Sequence, residues 1–156
     1  MFLFDAILGN RDRHGGNWGF VKKNGVTKLA PVFDNGSSLF PDVNLEIWNS
    51  KDFIKERVYH MPGSLFKIWR PGVTHRPMRT NYYEIISKYS DEFQQELDEV
   101  RNLDFNLIML QALKDVPSFC YDWFKTISKF RFECLIMNRD FEDVWEEYQN
   151  DWNNNF

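Results

Sequence analysis

Asp12, His14, Asn17 and Asp34 are the residues of this chain whose types and spacing could carry chemistry. Asp12 and His14 lie in a polar, glycine-bearing run, Gly9-Asn10-Arg11-Asp12-Arg13-His14-Gly15-Gly16-Asn17, in which Asn17 follows Asp12 by five positions. A second polar run, Asp34-Asn35-Gly36-Ser37-Ser38, comes after Leu29-Ala30-Pro31-Val32-Phe33. Transfer of a phosphoryl group needs a carboxylate to take a hydroxyl proton. It also needs a carboxamide oxygen and a second carboxylate to hold a divalent cation. Asp12 suits the first task; Asn17 and Asp34 suit the second. Each has a plainer reading when taken alone. An Asp or Asn in a glycine-bearing stretch caps a helix or makes a turn, and Asp34 before Asn-Gly would start one. The joint register favours a site.

The chain between the two runs must bring them together. Trp18–Lys22 and Val26–Ala30 flank Lys23-Asn24-Gly25, and Asn-Gly between such runs signals a hairpin. Folded back, that ribbon returns Asp34 towards Asn17. Gly15 and Gly16 allow backbone angles that bulkier residues resist and leave room for a phosphate or substrate. Upstream, residues 2–9 read as a short apolar helix ended by Gly9. Downstream the chain reads as helical. Ser50–His60 and Ser64–Trp69 are short helices, and 70–79, with Pro71, Gly72 and Pro77, is a loop. Tyr82–Arg101 repeats Ile85, Ile86, Tyr89, Phe93, Leu97 and Val100 at helical spacing. Phe105–Val116, Ser118–Met137 and Phe141–Trp152 follow. The fold class is therefore mainly α, with one small antiparallel hairpin beside the site.

Composition sets outer bounds. A chain of 156 residues with 43% hydrophobic content builds one domain, or one lobe of a larger one, with a real core. Its 15 Phe, 6 Trp and 6 Tyr imply bulky packing, or an aromatic face open to self-association. A net charge of −4 argues against nucleic-acid binding driven by phosphate contacts. No apolar run reaches the length of a membrane span, and Met-Phe-Leu-Phe-Asp lacks the basic start of a signal peptide. Cys120 and Cys134 have no metal or redox spacing, which fits reduced thiols in a cytoplasmic protein. His60 and His75 read as surface or satisfied histidines. Arg70, Arg76 and Arg79 read as loop charge, with contact to an acidic or phosphorylated substrate the lesser alternative. Asp140, Glu142, Asp143, Glu146, Glu147 and Asp151 read as a solvated helix face.

The two polar runs, with Leu29-Ala30-Pro31-Val32-Phe33-Asp34-Asn35-Gly36-Ser37-Ser38-Leu39 after the hairpin, resemble the catalytic and metal-binding loops of HipA-like serine/threonine kinases. More distantly, Asp-Arg-His…Asn is similar to the phosphoinositide-kinase catalytic loop. In protein kinases generally, the base Asp precedes the metal-binding Asn by five positions and the metal-binding Asp lies beyond a hairpin. The resemblance implies that Asp12 is the catalytic base and that Asn17 and Asp34 bind magnesium against ATP. His14 matches the family histidine of the catalytic loop, where it supports the loop or contacts phosphate; Asn10 matches a structural position. The match covers residues 5–40, and the rest suits the family's helical C-terminal lobe in general character.

The resemblance thus implies a single unit over residues 1–156. Its catalytic loops and hairpin would occupy 1–40, and a helical bundle 41–156. The expected activity is ATP- and magnesium-dependent phosphorylation of a protein hydroxyl. In that family such kinases are bacterial toxins paired with an antitoxin. Only eleven residues precede Asp12 and none is Lys, and no glycine-rich phosphate loop occurs. The N-lobe is therefore expected to be absent here, the chain being either a fragment of a longer kinase or a small protein that takes its N-lobe from another polypeptide, and this chain alone is expected to be a poor phosphotransferase. Two alternatives stay open: a non-catalytic interaction or regulatory module derived from a kinase lobe, and, ranked last, a metal-dependent phosphoesterase.

Overall fold

The computed structural model describes residues 1–31, 33, 35, 37–39, 49–60, 63–69, 72 and 75–154, with the backbone alone at 63–66, 119 and 152–154. The apolar run at the start forms α1 (Phe2–Leu8), closed by Gly9 in the left-handed conformation at φ 67°. The Asn-Gly turn then does what its residues favour. Asn24 and Gly25 both take positive φ, at 53° and 79°, and join β1 (Phe20–Lys23) to β2 (Val26–Leu29). The register pairs Phe20 with Leu29 and Lys23 with Val26. Every residue of this ribbon is exposed.

The remainder is mainly helical around a single core. Ser50 caps α2 (Lys51–Tyr59), and Asn81 caps α3 (Tyr82–Tyr89) by accepting from the Glu84 amide at 2.7 Å. A 3₁₀ turn at Ser90–Phe93 leads into α4 (Gln94–Arg101). Asp104 caps α5 (Phe105–Ala112). Then come α6 (Ser118–Arg131), a π-helical turn at Phe132–Ile136, and α7 (Phe141–Asn154). Ala6, Ile54, Tyr82, Leu97, Trp123, Ile127, Phe130, Ile136 and Val144 meet in the core, so each of the helices from α1 to α7 except α5 supplies a buried anchor. Among the described residues no helix is long and apolar enough to cross a membrane.

Two expectations from the sequence need correction. Ser64–Trp69 is not a helix: Gly63–Ile68 is strand β3, paired antiparallel with β4 (Met78–Asn81), so the fold carries a second hairpin and the 70–79 loop ends early. A short apolar run has no periodicity that separates strand from helix, and here non-local pairing decides. The single helix expected over Tyr82–Arg101 is broken at Ser90 and Asp91, poor helix formers. The break lets Phe93 turn its ring edge onto Phe2, with centroids 5.8 Å apart. The acidic face of α7 is solvated, as the sequence suggests, and carries surface ion pairs. Glu142 pairs with Lys51 and with Lys55 (2.9 Å), Glu147 pairs with Arg139, and Asp151 lies 3.7 Å from Lys129.

Arg131 explains why Gly9 must be glycine. This wholly buried guanidinium donates from Nε and NH2 to the Arg57 carbonyl in the last turn of α2, at 3.2 and 2.7 Å. It also lies against the end of α1, where a Cβ on Gly9 would sit 1.5 Å from its NH1 atom. Burial pulls its pKa down to about 9, a cost that the negative ends of α1 and α2 help offset. Gly9→Ala meets both a left-handed backbone and a side chain with nowhere to go. It should lower unfolding stability by about 2 kcal/mol or more, read from the urea midpoint.

The two cysteines are free, Cys120 half-buried and Cys134 buried beside Tyr59. Burial pushes the Cys134 thiol from 9.0 up to about 11 and raises the Tyr59 phenol as well. Between those two values the folded state holds a proton that the unfolded chain has lost, so stability should fall as pH rises through that window. Cys134→Ala should flatten that slope in alkaline unfolding curves. At neutral pH a thiol reagent should label Cys120 first and Cys134 only on unfolding.

Candidate active site

The loop after α1 is built from its own side chains. The Asp5 carbonyl, at the end of the helix, accepts from the Asn10 amide at 3.0 Å, which starts the turn. Asn10 is fully buried, and its Oδ1 accepts from the Asp12 amide at 2.9 Å. The Asp12 carbonyl takes the His14 amide at 2.9 Å and the Asn17 Nδ2 at 2.8 Å. The His14 carbonyl takes the Asn17 amide at 2.9 Å, and His14 Nδ1 takes the Gly16 amide at 3.0 Å. A Cβ on Gly16 would sit 3.0 Å from the His14 ring, which would have to shift by a few tenths of an ångström to admit it.

The outcome is a specific presentation. Asp12 and His14 are exposed, while Asn17 is buried at its base. With Nδ2 turned onto the Asp12 carbonyl, the Asn17 amide keeps Oδ1 as the atom able to face a cation. With Nδ1 taken by Gly16, the His14 ring keeps Nε2 for contacts outside the loop. Asp12, His14 and Asn17 are thus brought together by one set of bonds. Asp34 lies outside the described residues, and among those described no three His, Cys, Asp or Glu side chains gather as a metal cluster.

A buried ion pair that sequence reasoning did not single out holds this loop. Asp5, with no exposed surface, faces Arg13 through bonds from Nε and NH2 of 2.8 to 3.2 Å. The same guanidinium donates to the Asn17 carbonyl at 2.8 Å and the Phe33 carbonyl at 2.6 Å through NH1. Through NH2 it donates to Asn35 Oδ1 at 2.5 Å. Asn10 Nδ2 adds contacts to Asp5 and Asn35 at 3.4 and 3.5 Å. Arg13 therefore joins α1, the first polar loop and both residues that flank position 34. The hairpin makes this return possible, since Ala30 donates to the Gly19 carbonyl at 2.8 Å and closes the ribbon at its base.

Two contacts fix the frame from outside. The Tyr82 hydroxyl donates to the Asn10 carbonyl at 2.5 Å; burial, and then the nearby Asp5 carboxylate, push its pKa up and keep it a donor. Leu39, at φ 59°, donates to the Leu8 carbonyl at 2.7 Å and accepts from the Trp123 indole at 2.8 Å. The signal for Asp5 was present in the sequence as a lone acid in an apolar helix. Its partner could not be read from spacing, because Asp5 and Arg13 meet across a turn.

Removing one member of a buried pair strands the other. Arg13→Ala should cost about 3–5 kcal/mol of stability. Arg13→Lys should also lose stability, since an ammonium cannot span the carboxylate and the carbonyls as a planar fork does. Combined with Asp5→Ala, Arg13→Ala should cost less than the sum of the two. Urea unfolding of wild type and the four variants, Asp5→Ala alone included, measures all three.

Comparisons with known proteins place this geometry. No protein-family model matches the chain. The serine/threonine-protein kinase CtkA of Helicobacter pylori (strain J99 / ATCC 700824) is 32% identical over 98 residues, covering 59% of this chain and 28% of that protein. The crystal structure of a Helicobacter pylori proinflammatory kinase CtkA superposes with a TM-score of 0.67 at 27% identity. It covers 87% of this chain and 48% of the other. The chain thus spans less than half the length of the relatives it matches. The mainly helical fold expected from the sequence stands, and in sequence and in architecture this chain is similar to part of the serine/threonine-protein kinase CtkA.

Proposed function

We propose that this chain carries the catalytic lobe of a HipA-like serine/threonine protein kinase, using ATP and magnesium to phosphorylate a protein hydroxyl. The observation that supports this most is the Arg13 fork. It ties the loop bearing Asp12 and Asn17 to Phe33 and Asn35, on either side of the second candidate metal ligand. In this reading Asp12 takes the proton of the substrate hydroxyl as its oxygen bonds to the γ-phosphorus and the bond to the β-phosphate oxygen breaks, leaving ADP. Asn17 Oδ1 and the Asp34 carboxylate would hold magnesium, which when bound neutralises charge on the phosphates. His14 would support the loop or reach a phosphate oxygen through Nε2. Residues 1–40 would supply this chemistry and 41–156 its helical support. The HipA-like likeness extends the proposal to a toxin opposed by an antitoxin, acting in the cytoplasm.

A kinase also uses a loop over the phosphates and a strand lysine, and the matched kinases are longer than this chain. Binding is therefore the sharper test than turnover. Thermal unfolding followed with ADP, with and without magnesium, should show stabilisation only when both are present. At ligand a hundredfold above its Kd the gain is about 2.7 kcal/mol. Asn17→Ala and Asp34→Ala should abolish the magnesium dependence. Asp12→Ala should keep it while removing phosphoryl transfer in any assembly that shows transfer. An unresponsive wild-type chain would instead favour the non-catalytic module, and hydrolysis of a simple phosphoester with metal alone would favour the phosphoesterase.

A further inference from the structure

Asp12 and Asn17 act as a pair only while the peptide planes that carry them are fixed, and one of the bonds that fix them comes from outside the loop. The Asp12 amide donates to Asn10 Oδ1 at 2.9 Å, which orients the peptide between Arg11 and Asp12. The Asp12 carbonyl accepts from the His14 amide and from Asn17 Nδ2, which orients the next peptide and ties Asn17 to it. Both planes that flank Asp12 are thereby set, and its carboxylate keeps only side-chain rotation. The peptide before them, between Asn10 and Arg11, is set through its carbonyl. There the donor is the Tyr82 hydroxyl at 2.5 Å, 72 positions along the chain.

Tyr82 is placed as a rigid strut. It is the first residue of α3 and follows β4 directly. The last residue of β4, Asn81, pairs with Gly63 of β3 and also caps the helix, accepting from the Glu84 amide at 2.7 Å. The Tyr82 ring is 2% exposed and lies in the core, tilted against Phe2 of α1 with centroids 5.4 Å apart. Burial raises the pKa of the phenol, so the hydroxyl is a donor at neutral pH. A phenylalanine would fill the same space in the core; the bond to the Asn10 carbonyl is what the hydroxyl adds. We propose that Tyr82 is a positioning residue, whose hydroxyl, aimed by α3 and the core, holds the Asn10 carbonyl and through it the presentation of Asp12 and Asn17. It touches neither substrate nor metal and acts through Asn10 alone. The proposal rests on the reading of Asp12 as base and Asn17 as a magnesium ligand.

Tyr82→Phe removes one hydroxyl and leaves the ring. Amide exchange, followed by NMR on the isotope-labelled full chain, reads the loop without any ligand. The Asp12 and Asn17 amides should exchange about tenfold faster in the variant, beyond any change in global stability. The amides of Phe130 and Ile136 in the core should follow global stability alone. Tyr59→Phe, which removes instead the hydroxyl that faces the Cys134 thiol, should leave the loop amides in step with the core. Calorimetric titration with ADP and magnesium should then give an affinity about tenfold weaker for Tyr82→Phe and unchanged for Tyr59→Phe. The proposal fails if loop and core amides accelerate equally in Tyr82→Phe. It fails also if that variant binds ADP with magnesium as tightly as wild type does. A wild-type chain that binds no ADP with magnesium, while Tyr82→Phe still frees the loop amides, refutes the kinase reading and upholds the strut.

Discussion

Asp5 and Arg13 are both withdrawn from water, and each is tolerable there only because the other is present. The remaining donors of the guanidinium must also find acceptors, and those they find are the Asn17 carbonyl, the Phe33 carbonyl and the Asn35 side chain. Satisfying one buried cation therefore dictates where three stretches of chain lie. A mobile loop of glycines and polar residues would otherwise sample many shapes, and the entropy of fixing it is met by bonds to a group that cannot move. The carboxylate end of the pair sits on α1, whose apolar face is part of the core, so the loop inherits the rigidity of the fold.

The same logic repeats one layer out. Arg131 is buried between the carbonyl ends of α1 and α2, and the lack of a side chain at Gly9 gives it space. Tyr82 reaches from α3 to the Asn10 carbonyl, and Trp123 reaches from α6 to Leu39. Polar tips on large, well-packed side chains thus hold the irregular segments, while their apolar bodies build the core. The high aromatic content is used mainly here. Among the described residues Trp18 and Phe20, at the base of the β1–β2 ribbon, are aromatics left uncovered.

The chemistry offered at the surface is small in parts and strict in geometry. Asp12 stands exposed with its backbone bonded on both sides, and Asn17 is turned so that its amide nitrogen serves the loop while its oxygen accepts no bond among the described residues. Catalysis by position and charge, as in phosphoryl transfer, needs little more than groups held in this way. Kinship in sequence and fold with a serine/threonine kinase gives the arrangement its most economical meaning.

Local rules wrote much of this into the sequence. A glycine that closes α1, an Asn-Gly hairpin, helical periodicity in α6 and α7, and the fixed offset of Asp12 from Asn17 each depend on residues a few positions apart, so they can be read without coordinates. The tertiary structure alone decided the rest. That Asp5 and Arg13 are partners, that Arg13 also grips Phe33 and Asn35, that Gly63–Ile68 pairs with Met78–Asn81 as strands, and that α5 stands with its leucines bare are outcomes of non-local contact. A charged residue's partner is whichever opposite group the packed chain delivers to it, and no spacing rule encodes that delivery.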